Sequence, residues 1–144
     1  MENSTHPKKL SKIIDFFESL SDDEKRENLL SYANQSKAWE PLLDQIYDLE
    51  DVRKDEQCLD TVGIYLKVNQ EKVFFNVSMG PKVQTLTRAL ASILCEALEG
   101  ANIEQVLTVE DECISRIVGE KLVRLRSQTV YYLIRRMRSA VSNI

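Results

Sequence analysis

The chain has 144 residues, 43% of them hydrophobic and 29% charged, with a formal net charge of −4. That length suits one ordinary core and is short for two domains, and the composition is that of a soluble globular protein. No window approaches the ~18 consecutive apolar residues a bilayer span needs, and MENSTHPKK has no apolar segment behind its charges to act as a secretory signal.

Along the chain, residues 1–8 are expected to form a frayed tail. A first helix is predicted from Pro7 to Ser19, with Leu10, Ile13, Ile14 and Phe17 as its i, i+3, i+4, i+7 stripe. Ser21 followed by Glu24 reads as a capping box opening a second helix, which carries Leu29, Leu30 and Ala33 inward and stops near Ser36; Pro41 disfavours helical geometry at Glu40. The charged stretch DLEDVRKDEQ (48–57) is read as irregular, with Asp48–Arg53 able to supply an edge strand. Two strands follow over 61–68 and 72–78, with Val62, Ile64, Leu66 and Val68 on one face of the first and Val73, Phe75 and Val77 on one face of the second. Asn69-Gln70-Glu71 is short enough to join them as a hairpin.

Gly80-Pro81 ends the sheet region. A long helix from about Lys82 to Glu99 presents Val83, Leu86, Leu90, Ile93, Leu94 and Ala97 as one stripe and is terminated by Gly100. A short helix is expected over 102–107. The last helix runs from about Arg126 to Ser142 and buries Val130, Leu133, Ile134, Met137 and Val141. The fold class is therefore α+β: one domain over 1–144, with a small antiparallel sheet of about three strands flanked by helices, since a bare hairpin is marginal alone.

Cys58 is the leading candidate for chemistry. It stands between the charged stretch and the alternating strand, where a thiol is anchored at its base and accessible at its tip. Cys95, within a helical pattern, and Cys113, after Asp111-Glu112, read as structural. The three cysteines are far apart with no CxxC pair, which speaks for a reducing compartment and against a disulfide framework or zinc site. With His6 the only histidine, a Cys–His pair and a histidine metal centre have little to draw on.

Arg126 falls on the apolar stripe one turn before Val130. Two readings stay open on periodicity alone: a helix-start residue snorkelling to solvent, or a guanidinium aimed at a sulfur or carboxylate site. The charge is uneven, net −7 over residues 1–60 and +3 over 61–144. The pI near 5.1 discourages a nucleic-acid role. Arg135, Arg136 and Arg138 on the last helix read as a solvated face or a protein-docking face.

In order and spacing, SKIIDFFESL, Cys58 ahead of Val62, TLTRALASILCEALEGANIEQVL, and LRSQTVYYLIRRMRSA with Arg126-Ser127-Gln128 at its head resemble the SufE family, over about Lys9 to Ser139. The resemblance implies a SufE/IscU-like fold and a cytoplasmic sulfur carrier. Cys58 would accept persulfide sulfur from a pyridoxal-phosphate cysteine desulfurase, SufS- or CsdA-like, and activate that enzyme. Iron–sulfur scaffold proteins would be further partners, with no nucleic acid, no membrane, no cofactor and no metal of its own. Arg126 takes the place of the family's arginine that stabilises the thiolate or persulfide, and Asp60, Arg53, Lys54 and Ser127 are candidate partner contacts.

The family's Gly-Cys-x-Ser-x-Val loop reads QCLDTV here, with Gln57 in place of the glycine and Asp60 in place of the serine. The carboxylates of Asp55, Glu56 and Asp60 should disfavour the Cys58 thiolate unless Arg53, Lys54 or Arg126 offsets them. A diverged non-catalytic interaction module and an iron–sulfur assembly scaffold are the competing readings.

Overall fold

The computed structural model describes residues 6–55 and 59–144. Helix α1 (Lys8–Glu18) buries Leu10, Ile13, Ile14 and Phe17, the stripe read from the sequence. Leu10 and Phe17 are both 0% exposed, and burial of this kind contributes about 1.5–3 kcal/mol per side chain. The tail expected over 1–8 ends earlier than Lys8: Pro7 is buried as the N-cap, and His6 Nε2 lies 3.6 Å from Cys113 Sγ.

Helix α2 (Asp22–Asn34) opens on the expected capping box, the Ser21 hydroxyl accepting from the Glu24 amide at 3.2 Å and the Glu24 carboxylate accepting from the Ser21 amide at 2.9 Å. Leu29 and Ala33 point inward, but Leu30 does not: it is half exposed, one helical step off the buried face. A 3₁₀ turn, Ser36–Trp39, follows before Pro41.

Strands β1 (Leu49–Arg53), β2 (Val62–Asn69) and β3 (Lys72–Met79) form an antiparallel sheet in that order. The edge strand suggested at Asp48–Arg53 is β1. Gln70 and Glu71 link β2 to β3 with φ of 54° and 70°, the positive pair that a two-residue I′ turn requires. Val62, Ile64, Leu66, Val73, Phe75 and Val77 form the buried face. On the opposite face, Asn76 donates to the carbonyls of Trp39 (3.1 Å) and Glu40 (3.3 Å) and accepts from the Tyr47 hydroxyl (3.0 Å), tying the segment before β1 to the sheet.

Helix α3 (Thr85–Leu98) is buried on nearly every side, not along a single stripe, because α1, α2, the sheet and the last helix surround it. Gly100 ends this region at φ +77°, where its amide donates to the Val73 carbonyl at 2.8 Å. Helix α4 (Ile103–Leu107) matches the short helix expected, and α5 (Asp111–Val118) was not foreseen. Helix α6 (Glu120–Ser142) starts before the expected Arg126 and is broken there, with Arg126 at φ −141°, ψ 40°. Its second half buries Val130, Leu133, Ile134, Met137 and Val141 as read.

Candidate functional site

Arg53 pairs with Val62 at the end of the β1–β2 ladder, so residues 54–61 are the connection of a β-hairpin. Cys58 belongs to this connection and, with residues 56 and 57, lies outside the described residues. The described residues on either side form its two feet. On the β1 side, Arg53 and Lys54 are exposed, and the Arg53 guanidinium stands 3.5 Å from Asp51 and 3.6 Å from Asp55.

On the β2 side the Asp60 carboxylate accepts from the Thr61 amide at 2.8 Å and from the Lys82 amide at 2.9 Å. It abuts Gly80 so closely that a Cβ there would overlap it, which is why the β3–α3 link needs a glycine at this point. The Lys82 amide first, then the Thr61 amide, hold the Asp60 carboxyl below the usual carboxylate range, with Lys54 and Lys82 adding to the effect. Asp60 therefore clasps the end of the connection to the start of the α3 segment.

That segment is held in turn by Arg88, which donates to the carbonyls of Gly80 at 2.7 Å and Val83 at 3.2 Å. Beyond it, Arg126 is exposed at the break in α6 and reaches Gln84 Oε1 at 3.5 Å, an oxygen that also lies 3.5 Å from the Thr129 hydroxyl. The apolar-stripe placement of Arg126 does not hold. Its non-helical backbone takes the side chain out of the phase that buries Val130. Ser127, next to it, is exposed.

The other two thiols are core residues. Cys95 is 0% exposed on α3, and burial, with Glu99 adding, pushes its pKa far up. Cys113 is buried on α5, and burial outweighs its backbone hydrogen bond and the nearby Arg116 to push its pKa up as well. Among the described residues no cluster of three or more His, Cys, Asp or Glu side chains converges as a metal site.

The Fe-S metabolism associated domain, SufE, matches residues 11–141. The chain belongs to the SufE family. A solved structure, the solution structure of a hypothetical protein from Thermus thermophilus, superposes with a TM-score of 0.72 at 23% identity, covering 96% of each chain, and shows the same fold. No curated protein matches significantly. Membership in SufE associates the chain with iron–sulfur metabolism. No helix among the described residues is long and apolar enough to cross a membrane.

In this SufE domain Arg136, read from the sequence as part of a solvated or docking face, has an internal role that sequence reasoning missed. It is 4% exposed and donates to the carbonyl of Val62 (2.8 Å), the carbonyl of Asp51 (2.6 Å) and the hydroxyl of Tyr132 (2.8 Å). Val62 opens β2 and Asp51 lies in β1, so one guanidinium clamps both strands just where the Cys58 connection leaves them. Beside it lies a cavity of about 330 Å³ lined by Arg53, Asp55, Gln128, Tyr132 and Ser139 among others.

The same geometry takes Arg136 off the exposed basic face of the C-terminal helix. Arg135 and Arg138 both bind Asp111 at 2.7 Å, and Arg136 is internal. Its helical phase was a usable signal, since Tyr132, Arg136 and Ala140 recur at i, i+4, i+8 and all three are buried.

Proposed function

We propose that this SufE protein accepts persulfide sulfur on Cys58 from a pyridoxal-phosphate cysteine desulfurase in the cytoplasm, stimulates that enzyme, and passes the sulfur to iron–sulfur assembly. In the transfer, the Cys58 thiolate attacks the outer sulfur of the desulfurase persulfide. The sulfur–sulfur bond of the donor breaks, the donor cysteine leaves as a thiolate, and Cys58 becomes the persulfide. Two-electron redox balance is kept, because one sulfur–sulfur bond replaces another.

The observation that carries the reading is the contrast among the three thiols within a SufE domain. Cys95 and Cys113 are buried and held as neutral thiols, whereas Cys58 belongs to a hairpin connection whose feet are pinned by Asp60 and Arg136. The described residues at both ends of that connection are held, by Asp60 on Lys82 and by Arg136 on Val62 and Asp51. Arg126, exposed and in reach of Gln84 at 3.5 Å, is assigned the role of stabilising the thiolate or persulfide anion, for which its fixed positive charge suits it.

Incubation with a purified cysteine desulfurase and radiolabelled cysteine tests this. Label should appear on the chain and be released by a thiol reductant. Absence of label, with the desulfurase active on its own, would refute the carrier role.

A further inference from the structure

A second cavity, of about 590 Å³, lies between α2, the start of α3 and the first half of α6. Leu29, Leu30, Leu86, Leu122 and Leu125 line it. Leu30 is 50% exposed and Leu125 68%, so the apolar lining is open to water. Side chains of that size, left exposed at both edges of one concave surface, mark an interaction site more strongly than scattered surface leucines do.

The rim is basic. Lys25, Arg26, Lys121 and Arg126 stand around the groove with Asp22 the one acid among its lining residues. Lys25 donates to the Leu20 carbonyl at 2.8 Å and Arg26 keeps an exposed contact with Asp23 at 3.4 Å, but neither interaction removes the positive excess. That excess is set against a chain of net charge −4.

We propose that this groove receives an amphipathic helix of the cysteine desulfurase, seating its apolar stripe between α2 and α6 and presenting acidic flanks to the basic rim. The proposal rests on the sulfur-transfer reading above. A helix is the occupant that fits, because two flanking helices with a leucine floor form the walls that an i, i+3, i+4, i+7 apolar stripe fills. Acidic flanks follow from the rim charge. The desulfurase is the partner because one end of the groove is formed by Gln84 and Arg126. Gln84 is two residues from Lys82, the anchor of Asp60 and hence of the Cys58 connection. A partner gripped here lies beside the segment to which Asp60 is anchored.

The test is binding of purified cysteine desulfurase to the full-length chain by biolayer interferometry, with Lys121→Glu, Leu125→Asp and Cys58→Ser compared with wild type. Lys121 and Leu125 are exposed, so both variants should fold, and circular dichroism checks this. Each should weaken binding by about tenfold or more. At saturating desulfurase both should regain the wild-type transfer rate, and Cys58→Ser should bind as wild type. Raising the salt should weaken wild-type binding more than that of Lys121→Glu. If wild type accepts sulfur and the two groove variants bind equally well, the docking proposal is overturned and the carrier reading stands. If wild type neither binds nor accepts sulfur, both fall together.

Discussion

The Arg136 guanidinium donates to the main-chain carbonyl of Asp51 at 2.6 Å and stands 3.1 Å from the Asp51 carboxylate. Since it also holds the Val62 carbonyl at 2.8 Å, a single buried cation joins the two strands that launch the Cys58 connection. Four acceptors, the Val62 and Asp51 carbonyls, the Asp51 carboxylate and the Tyr132 hydroxyl, engage its two terminal nitrogens. The ring of Tyr132 lies 5.5 Å from its carbon centre, and together these contacts offset the cost of taking the charge out of water.

Arg136→Met should therefore destabilise the fold by about 2–4 kcal/mol, because it strips a charged donor from two carbonyls and a hydroxyl. Arg136→Lys should recover only part of this, since an ammonium lacks the planar fork. Urea unfolding of the two variants measures the difference. A loss below about 1 kcal/mol for the methionine variant would show that the clamp contributes little.

Asp60→Asn removes the charge of the clasp and one of its two acceptor oxygens, because the side-chain amide nitrogen cannot accept from the Thr61 or Lys82 amide. Alkylation of Cys58 at neutral pH should speed up, because a carboxylate two positions from the thiol disfavours the thiolate. Asp60→Ala removes both acceptors, and amide exchange at both Thr61 and Lys82 should then rise. An unchanged alkylation rate in Asp60→Asn would mean that the Asp60 charge, already engaged by the Lys82 and Thr61 amides, does not reach the sulfur.

The pH dependence has a definite sign. Burial alone would raise the Asp111 carboxyl, but the hydrogen bonds from Arg135 and Arg138 outweigh it and leave the group below the usual carboxylate range. A group depressed in the folded state binds fewer protons there than in the unfolded chain. Its stabilisation is complete above the unfolded value and is lost as pH falls toward the folded one. Asp60 acts in the same direction. The urea midpoint should thus drop as pH falls through and below the usual carboxylate range, and Asp111→Asn should flatten part of that drop. An identical pH profile for wild type and Asp111→Asn would contradict the assignment.

Arg126→Ala should slow single-turnover sulfur transfer more than Arg126→Lys does. The stability change should stay within about 0.5 kcal/mol because the side chain is exposed. Stopped-flow transfer from a preloaded desulfurase reads the difference. Wild-type rates in both variants would remove Arg126 from the site.

Much of the fold was legible because its signals are local. The capping box of Ser21 and Glu24, the stripe from Leu10 to Phe17 and the strict alternation from Val62 to Val68 each depend on neighbours a few residues away. What escaped depends on contacts between distant segments. Helix α5 has a short stripe of Cys113, Ile114, Ile117 and Val118 that is too brief to stand out from a loop without its packing against α1 and α6. Leu30 reads as core until the groove between α2 and α6 is seen to leave it open.

The candidate site divides the same way. Cys58 stood out by its place ahead of the alternating strand and Arg126 by its helical phase, and the family resemblance gave each a role. The roles of Asp60 as a clasp on Lys82 and of Arg136 as a clamp on Asp51 and Val62 appear only once the chain is folded. The basic run of the C-terminal helix also divides only in the fold, with Arg136 internal and Arg135 and Arg138 paired with Asp111.

Intact-mass analysis with peptide mapping, after incubation with a cysteine desulfurase and cysteine, tests the central claim most directly. Wild type should gain the mass of one sulfur atom, mapped to Cys58. Cys58→Ser should gain none while keeping its fold, and the buried Cys95 and Cys113 should stay unlabelled. Sulfur uptake by Cys58→Ser, or label on Cys95 or Cys113, would contradict the account.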